Sequence, residues 1–220
     1  MSDFTYYNDH NEKEELVSGE ITVTKILIAL NTIIFFYLMV IGDPGDAEFM
    51  MKRGALWVPA FLEKGEYYRI FCPIFMHFSA AHLFNNMLLL FFMGDVLERE
   101  FGKGKFLLFY LLTGICGNLL SVVIESISGD YAISAGASGA VFGVLGGLLY
   151  LILKNHGKLY YMTWRRMLFF IGYSLFAGYT SGGINNAAHF GGLVSGFLLA
   201  IPFSAVRKGE RKRRKTGNIA

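Results

Sequence analysis

Apolar residues in this chain come in long unbroken blocks, rather than in the strict alternation of strands or the single stripe of a soluble helix. Six blocks stand out: Ile21–Ile41, Ala80–Leu97, Phe106–Ile124, Ala137–Leu153, Met167–Thr180 and Ala187–Phe203. About 20 apolar residues of helix cross ~30 Å of hydrocarbon. The pattern therefore predicts an all-α membrane protein, a bundle of six transmembrane helices. Several blocks are shorter than a full crossing, so some ends are expected below the membrane surface or extended by flanking aromatics. The longest connection, about 42–79, is rich in Phe49, Met50, Met51, Leu56, Trp57, Val58, Phe61, Leu62, Tyr67 and Tyr68. Trp and Tyr favour the headgroup zone, so this first loop is expected to be a folded element in the outer interface.

Composition agrees with that class. Of 220 residues, 54% are hydrophobic and 16% aromatic, and charge is concentrated in the segments between blocks. Lys and Arg follow the second block (Arg99, Lys103, Lys105), separate the fourth from the fifth (Lys154, Lys158, Arg165, Arg166) and crowd the C-terminus from Arg207 to Lys215. Ser126–Tyr131 and Ser181–Asn186 carry none. Only the first loop, with Lys52, Arg53, Lys64 and Arg69, breaks the trend. Positive charge stays inside, so both termini are expected in the cytoplasm. The division is a polar tail over 1–20, a membrane domain over 21–206 and a basic tail over 207–220. The acid-leaning start does not resemble a signal peptide. The basic tail reads as a topology determinant in contact with lipid, not a nucleic-acid site. Cys72 and Cys116 lie in different environments and predict neither a disulfide nor a metal pair.

Small residues recur four apart in two blocks: Gly139, Gly143, Gly147 in the fourth and Ala188, Gly192, Gly196 in the sixth. Such ridges let membrane helices approach to backbone contact. They would bring together two residues near the outer ends of those helices, Ser138 and His189. Ionisable groups are costly in hydrocarbon, which makes an intramembrane histidine a functional candidate. The fourth block, at ~1.5 Å per residue, spans only ~25 Å. Its start, and Ser138 with it, is expected in a sunken, wet cavity. In the second block His82 and Asn86, four apart, share a helix face and offer a donor pair. A nucleophile, a base and oxyanion donors are the requirements of serine-dependent acyl transfer. No acid is placed to orient His189: Asp95 and Glu98 fall at the other end, and Glu125 and Asp130 at the edges of a short loop. The expectation is a Ser138–His189 dyad, with His189 packed on Phe142, one turn beyond Ser138. Asn186 could cap the sixth helix or bind a substrate backbone; the cap is favoured. His77 reads as a packing residue.

These residues resemble the rhomboid intramembrane serine proteases from about Gly54 to the end of the sixth helix. The motifs are Gly136-Ala137-Ser138-Gly139, Ala188-His189-Phe190-Gly191-Gly192, and His77 to Asn86 with its His-x-x-x-Asn. Gly94, Glu98 and Gly102 match the close of the second helix, and Arg69 matches the arginine of the first loop. The resemblance implies a rhomboid-like bundle with Ser138 as nucleophile, His189 as general base and acid, and His82 with Asn86 as oxyanion stabilisers. Gly136, Phe142 and Asn186 would support the dyad or line the substrate pocket. Arg69, Glu98 and Gly192 would be structural. It implies cleavage of membrane-anchored protein substrates near the outer face, without metal or other cofactor. Tyr68 and Phe142 depart from the family's usual tryptophan and tyrosine.

Rival classes fit less well. A non-catalytic relative has no need of Ser138 and His189 together. A transporter would want paired intramembrane acids or an inverted repeat, and no His-Glu-x-x-His motif exists for a metalloprotease. A bacterial plasma membrane is the expected location, with oligomeric state, substrate and pathway left open by the sequence.

Overall fold

The computed structural model describes residues 5–7, 13–15, 22–181 and 185–217, with the backbone alone at 5–7, 13–15, 177–181 and 205–217. Most of the polar tail over 1–20 therefore lies outside the described residues. Two short strands within it, β1 (Thr5–Tyr7) and β2 (Lys13–Glu15), pair antiparallel.

Helix α1 (Val23–Ile41) begins where the Thr22 hydroxyl accepts a bond from the Lys25 N–H. Its buried residues are Thr24, Leu27, Asn31, Phe35 and Leu38, a single stripe at helical spacing. Ile33, Phe36, Tyr37 and Val40 are exposed, as suits a helix facing lipid. Then comes the folded first loop, with helices α2 (Ala47–Lys52) and α3 (Val58–Glu63) and two 3₁₀ turns, Tyr67–Ile70 and Cys72–Phe75.

The second crossing, Ala80–Phe101, has three parts. Helix α4 (Ala80–Leu89) passes through one π turn, Leu90–Gly94, into α5 (Asp95–Phe101). Ser79 caps it by accepting from the His82 N–H. Helix α6 (Lys103–Ser128) runs several residues past the predicted block at both ends. Helix α7 (Ser138–Lys154) follows, then a tight hairpin of β3 (Lys158–Leu159) and β4 (Met162–Thr163), α8 (Trp164–Ser181) and α9 (Asn186–Gly217). Among the described residues, α1, the Ala80–Phe101 crossing, α6 and Asn186–Ser204 are long and apolar enough to span a membrane; α7 is a shorter apolar helix. With α8 they make a six-helix membrane bundle. The basic C-terminal segment does not break away at residue 207: α9 continues to Gly217.

Helix α7 is the centre. Every residue from Gly139 to Leu148 is buried, and it packs most extensively against α9, then α6. The reason is the missing side chains. A Cβ on Gly192 would overlap the Gly139 carbonyl, one on Gly196 the Gly143 carbonyl, and one on Gly146 the Leu193 carbonyl. Backbone therefore lies against backbone along this seam, the close approach that small residues permit in membranes. The ridge read from sequence is only partly on it. A Cβ on Gly143 would strike Thr113, and one on Gly147 would meet Phe109 and Leu97. A four-residue step overshoots the 3.6-residue turn, so the ridge rotates away from α9 toward its other neighbours.

Candidate active site

Ser138 opens α7, and the chain leading to it is held at successive points. Ser134 pairs with Leu56 of the first loop through two backbone bonds, 2.8 and 3.0 Å. The Gly136 N–H donates to the Pro73 carbonyl at 2.9 Å. The Ala137 N–H points at His77 Nε2, 3.4 Å away. Gly136 has φ of +151°, and a Cβ there would lie 2.8 Å from His82 Cε1, 2.9 Å from His82 Nε2 and 3.5 Å from Ser138 Oγ. Glycine is required twice, for its backbone angle and for the room it leaves. That same room puts the His82 imidazole and the Ser138 hydroxyl beside one point in space.

His189 lies in the first turn of α9, 6% exposed. Its ring is parallel to Phe142, with centroids 4.3 Å apart and planes 12° from each other. Its neighbour Ala188 meets the neighbour of Ser138: a Cβ on Gly139 would sit 3.4 Å from the Ala188 carbonyl. Ser138 and His189 thus flank the top of the α7–α9 seam. Among the described residues no hydrogen bond joins them, and His189 Nδ1 is buried without a partner.

His77 and His82 lie edge to face at 5.1 Å. His77 is fully buried, and burial, with the neighbouring His82, pushes its pKa down to about 3. It stays neutral and able to accept from Ala137. The sequence marks it only as a packing residue, and the fold alone reveals its bond to the serine turn. Asn86 is buried one turn below His82 and donates to the His82 carbonyl at 3.1 Å.

Asn186 is not the cap that the sequence favours. The residue before it takes that place: Asn185 Oδ1 accepts from the Ala188 N–H at 3.0 Å, and the Asn185 carbonyl accepts from the His189 N–H at 3.2 Å. Asn186 Oδ1 is instead buried with no partner. Two adjacent asparagines give the signal, and a one-residue difference in helix start decides between them.

Arg69 and Glu98 stand outside the cluster. Arg69 donates to the Met51 and Ala55 carbonyls, 2.7 Å each, and pairs with Glu66. That pairing holds the Glu66 carboxyl below its usual range. Ala55 precedes the residue paired with Ser134, so Arg69 orders the backbone that backs the serine turn. Glu98, at the far end of the second crossing, accepts from the Val23 N–H (2.9 Å), the Thr24 N–H (2.8 Å) and the Thr24 hydroxyl (2.8 Å). It satisfies donors that the start of α1 would otherwise leave open. Among the described residues no three His, Cys, Asp or Glu side chains converge as a metal site.

The sequence profile of the Rhomboid domain matches residues 64–206. Rhomboid protease GluP of Bacillus subtilis is 36% identical over 197 residues, which is 90% of this chain and 38% of that protein. RHOMBOID-like protein 1 of Arabidopsis thaliana is 39% identical over 155 residues, 69% of this chain and 38% of that one. Rhomboid protease AarA of Providencia stuartii is 30% identical over 211 residues, 86% and 74% of the two chains. The chain thus spans well under half the length of the first two and about three quarters of the third. With a matching profile over more than half its residues and a six-helix membrane bundle, this multi-pass membrane protein belongs to the rhomboid family.

Proposed function

We propose that the chain is an intramembrane serine endopeptidase that cleaves transmembrane or membrane-anchored proteins through a Ser138–His189 dyad. The observation that carries the reading is the glycine seam, which sets the start of α7 and the first turn of α9 side by side with an imidazole donor, His82, over the serine. Similarity to proteins named rhomboid proteases supports the same class.

In this reading His189 Nε2 takes the Ser138 proton as Oγ attacks the scissile carbonyl. The tetrahedral oxyanion accepts bonds from His82, from the second N–H of the Asn86 amide and from the Ser138 backbone N–H. His189 then gives its proton to the leaving amine. Water, activated by the same ring, releases the acyl group and returns the serine. The parallel Phe142 ring fixes the plane of the imidazole, one of the tasks that the acid performs in a triad. The gap between Ser138 and His189 closes on substrate binding, as catalytic bonds often do. Gly136 keeps the space for the oxyanion, and the Asn186 side chain, with its open acceptor, suits a substrate amide.

The Lys and Arg distribution supports cytoplasmic termini, an orientation in which this cluster faces the outer half of the bilayer. In this reading the bilayer is the cell membrane, and the membrane domain is 21–206 between two cytoplasmic tails. A substrate helix must unwind locally to present a carbonyl, since intrahelical bonds shield the amide. The test is a reporter membrane helix reconstituted with the purified protein, scored for cleavage and for fluorophosphonate labelling. Ser138→Ala is expected to lose both. Cleavage by Ser138→Ala at the wild-type rate would overturn the assignment.

A further inference from the structure

A second polar cluster lies behind the dyad, and it uses an acid that the proposed chemistry leaves idle. Glu125 is 8% exposed, near the C-terminal end of α6. Its Oε1 accepts from the Ser121 hydroxyl at 2.8 Å and its Oε2 from the Ala132 N–H at 3.2 Å. Ser121, fully buried, in turn accepts from Asn185 Nδ2. The same amide nitrogen donates to Ser134 Oγ at 3.1 Å, and Asn185 Oδ1 takes the Ala188 N–H.

The count of donors fixes the direction of this chain. Ala188 offers a proton, so the Asn185 oxygen must face it and the nitrogen must face the two serines. Ser121 has one proton, and the Glu125 carboxylate takes it. The serine lone pairs are then free for the amide. Each member orients the next, and every proton of the Asn185 amide is used. The chain joins three pieces of backbone: the end of α6, the loop four residues before Ser138, and the first turn of the helix that carries His189.

We infer that Glu125, Ser121 and Asn185 are positioning residues that hold the His189 turn in register with the Ser138 loop. They touch neither reacting atom. Glu125 acts through Ser121 and Asn185 on the backbone around His189, and does not bond its imidazole. The inference rests on the dyad reading for its catalytic meaning, while its geometric content stands by itself.

A reversal of the chain separates positioning from plain stability. Asn185→Asp keeps an acceptor for the Ala188 N–H, but loses both amide donors and faces Glu125 with a second carboxylate. Turnover of the reporter and the fluorophosphonate labelling rate at Ser138 are expected to fall about 10- to 100-fold, the scale of a small misplacement, with KM near the wild-type value. The double variant Glu125→Gln with Asn185→Asp restores complementarity in the opposite sense. The new amide at position 125 donates to Ser121, and Ser121 donates to the new carboxylate at position 185. The amide oxygen at position 125 still accepts from the Ala132 N–H. This double variant is expected to recover most of the lost kcat. Ser121→Ala, which removes the middle link at little change in volume, is expected to show the same kcat loss and supplies the readout where Asn185→Asp folds poorly.

Wild-type turnover in Asn185→Asp or in Ser121→Ala overturns the inference, and so does a loss that the reversed pair fails to recover. Hydrogen exchange at the amides of 186–190 gives the geometric readout: faster in Asn185→Asp, restored in the reversed pair. It decides the matter even if wild type neither cleaves nor labels, an outcome that sinks the dyad reading alone. Unchanged exchange in Asn185→Asp would then refute the positioning role.

Discussion

The α7–α9 seam and the seat of α1 are both contacts between membrane helices, yet they are made of different material. On the seam, carbonyls of one helix lie where the other has no side chain: Gly139 against Gly192, Gly143 against Gly196, Leu193 against Gly146. At the seat of α1, a single buried carboxylate, Glu98, gathers three donors from Val23 and Thr24. Apolar packing along one stripe completes that contact. Lipid tails give little hydrophobic drive to associate, so close packing and polar bonds must do it. The two regions divide these means. Backbone contact leaves no side chain that could adjust to change the spacing, and the residues proposed for chemistry sit beside it. A side-chain clasp holds a helix in place while tolerating small shifts, and it lies at the other end of the bundle.

The comparison breaks first on the seam. Gly192→Val would set its Cβ on the Gly139 carbonyl and add two methyl groups beside it, and the helices would have to part. Overpacking costs about 1–3 kcal/mol or more, and a misplacement of about 1 Å is enough for a loss of ~10² in rate. Reporter cleavage by this variant is expected to drop at least that far, with a lower thermal midpoint in detergent. Full activity would mean that the seam does not set the spacing of Ser138 and His189.

How far was this division legible beforehand? The six apolar blocks were plain, because length and composition alone decide what crosses a bilayer. Ser138 and His189 were visible as polar residues in those blocks, and small residues announced a close contact between the helices that carry them. The direction of each glycine was not visible. Gly143 and Gly147 turn toward Thr113 and Phe109, and Gly146, outside the four-residue ridge, faces α9; a drift of a fraction of a turn separates those cases. The Ser121–Asn185 bond was out of reach for another reason: its partners are 64 positions apart, and no local pattern links them. The cap falls on Asn185, one residue before the Asn186 that the sequence favours, because helix ends are read to within a residue or two at best. The helical continuation of the basic C-terminal segment was hidden by its charge, which speaks of solvent and lipid contact rather than of conformation.

The clasp should fail differently from the seam. Glu98→Ala leaves the Val23 and Thr24 donors without a partner in a buried place. An unsatisfied buried donor costs roughly 1–3 kcal/mol, so a loss of about 3 kcal/mol or more is expected. Turnover per folded molecule should remain near wild type, because α1 is remote from the α7–α9 contact. Stability and activity measured on the same preparation test this. A kcat that fell in step with stability would erase the distinction between the two regions.

The smallest effect sharpens the seam's own end. His77, edge to face with His82, accepts from the Ala137 N–H only while neutral, and its pKa of about 3 lies far below the ordinary 6.5. Its folded-state pKa is depressed, so above 6.5 neither state binds the proton and stability is unaffected. As pH falls below 6.5 the unfolded chain takes up the proton and the folded one does not. Stability therefore declines from 6.5 toward 3 and levels off below. Between pH 7 and 5.5 the single histidine accounts for about 1 kcal/mol of that decline. His77→Gln can still accept from Ala137 but cannot titrate. Unfolding midpoints of wild type and His77→Gln are expected to converge as the buffer is acidified over that range, since carboxylates and His82 contribute alike to both. Parallel curves would show that His77 is protonated in place without penalty, and that the serine turn does not depend on a neutral ring beneath it.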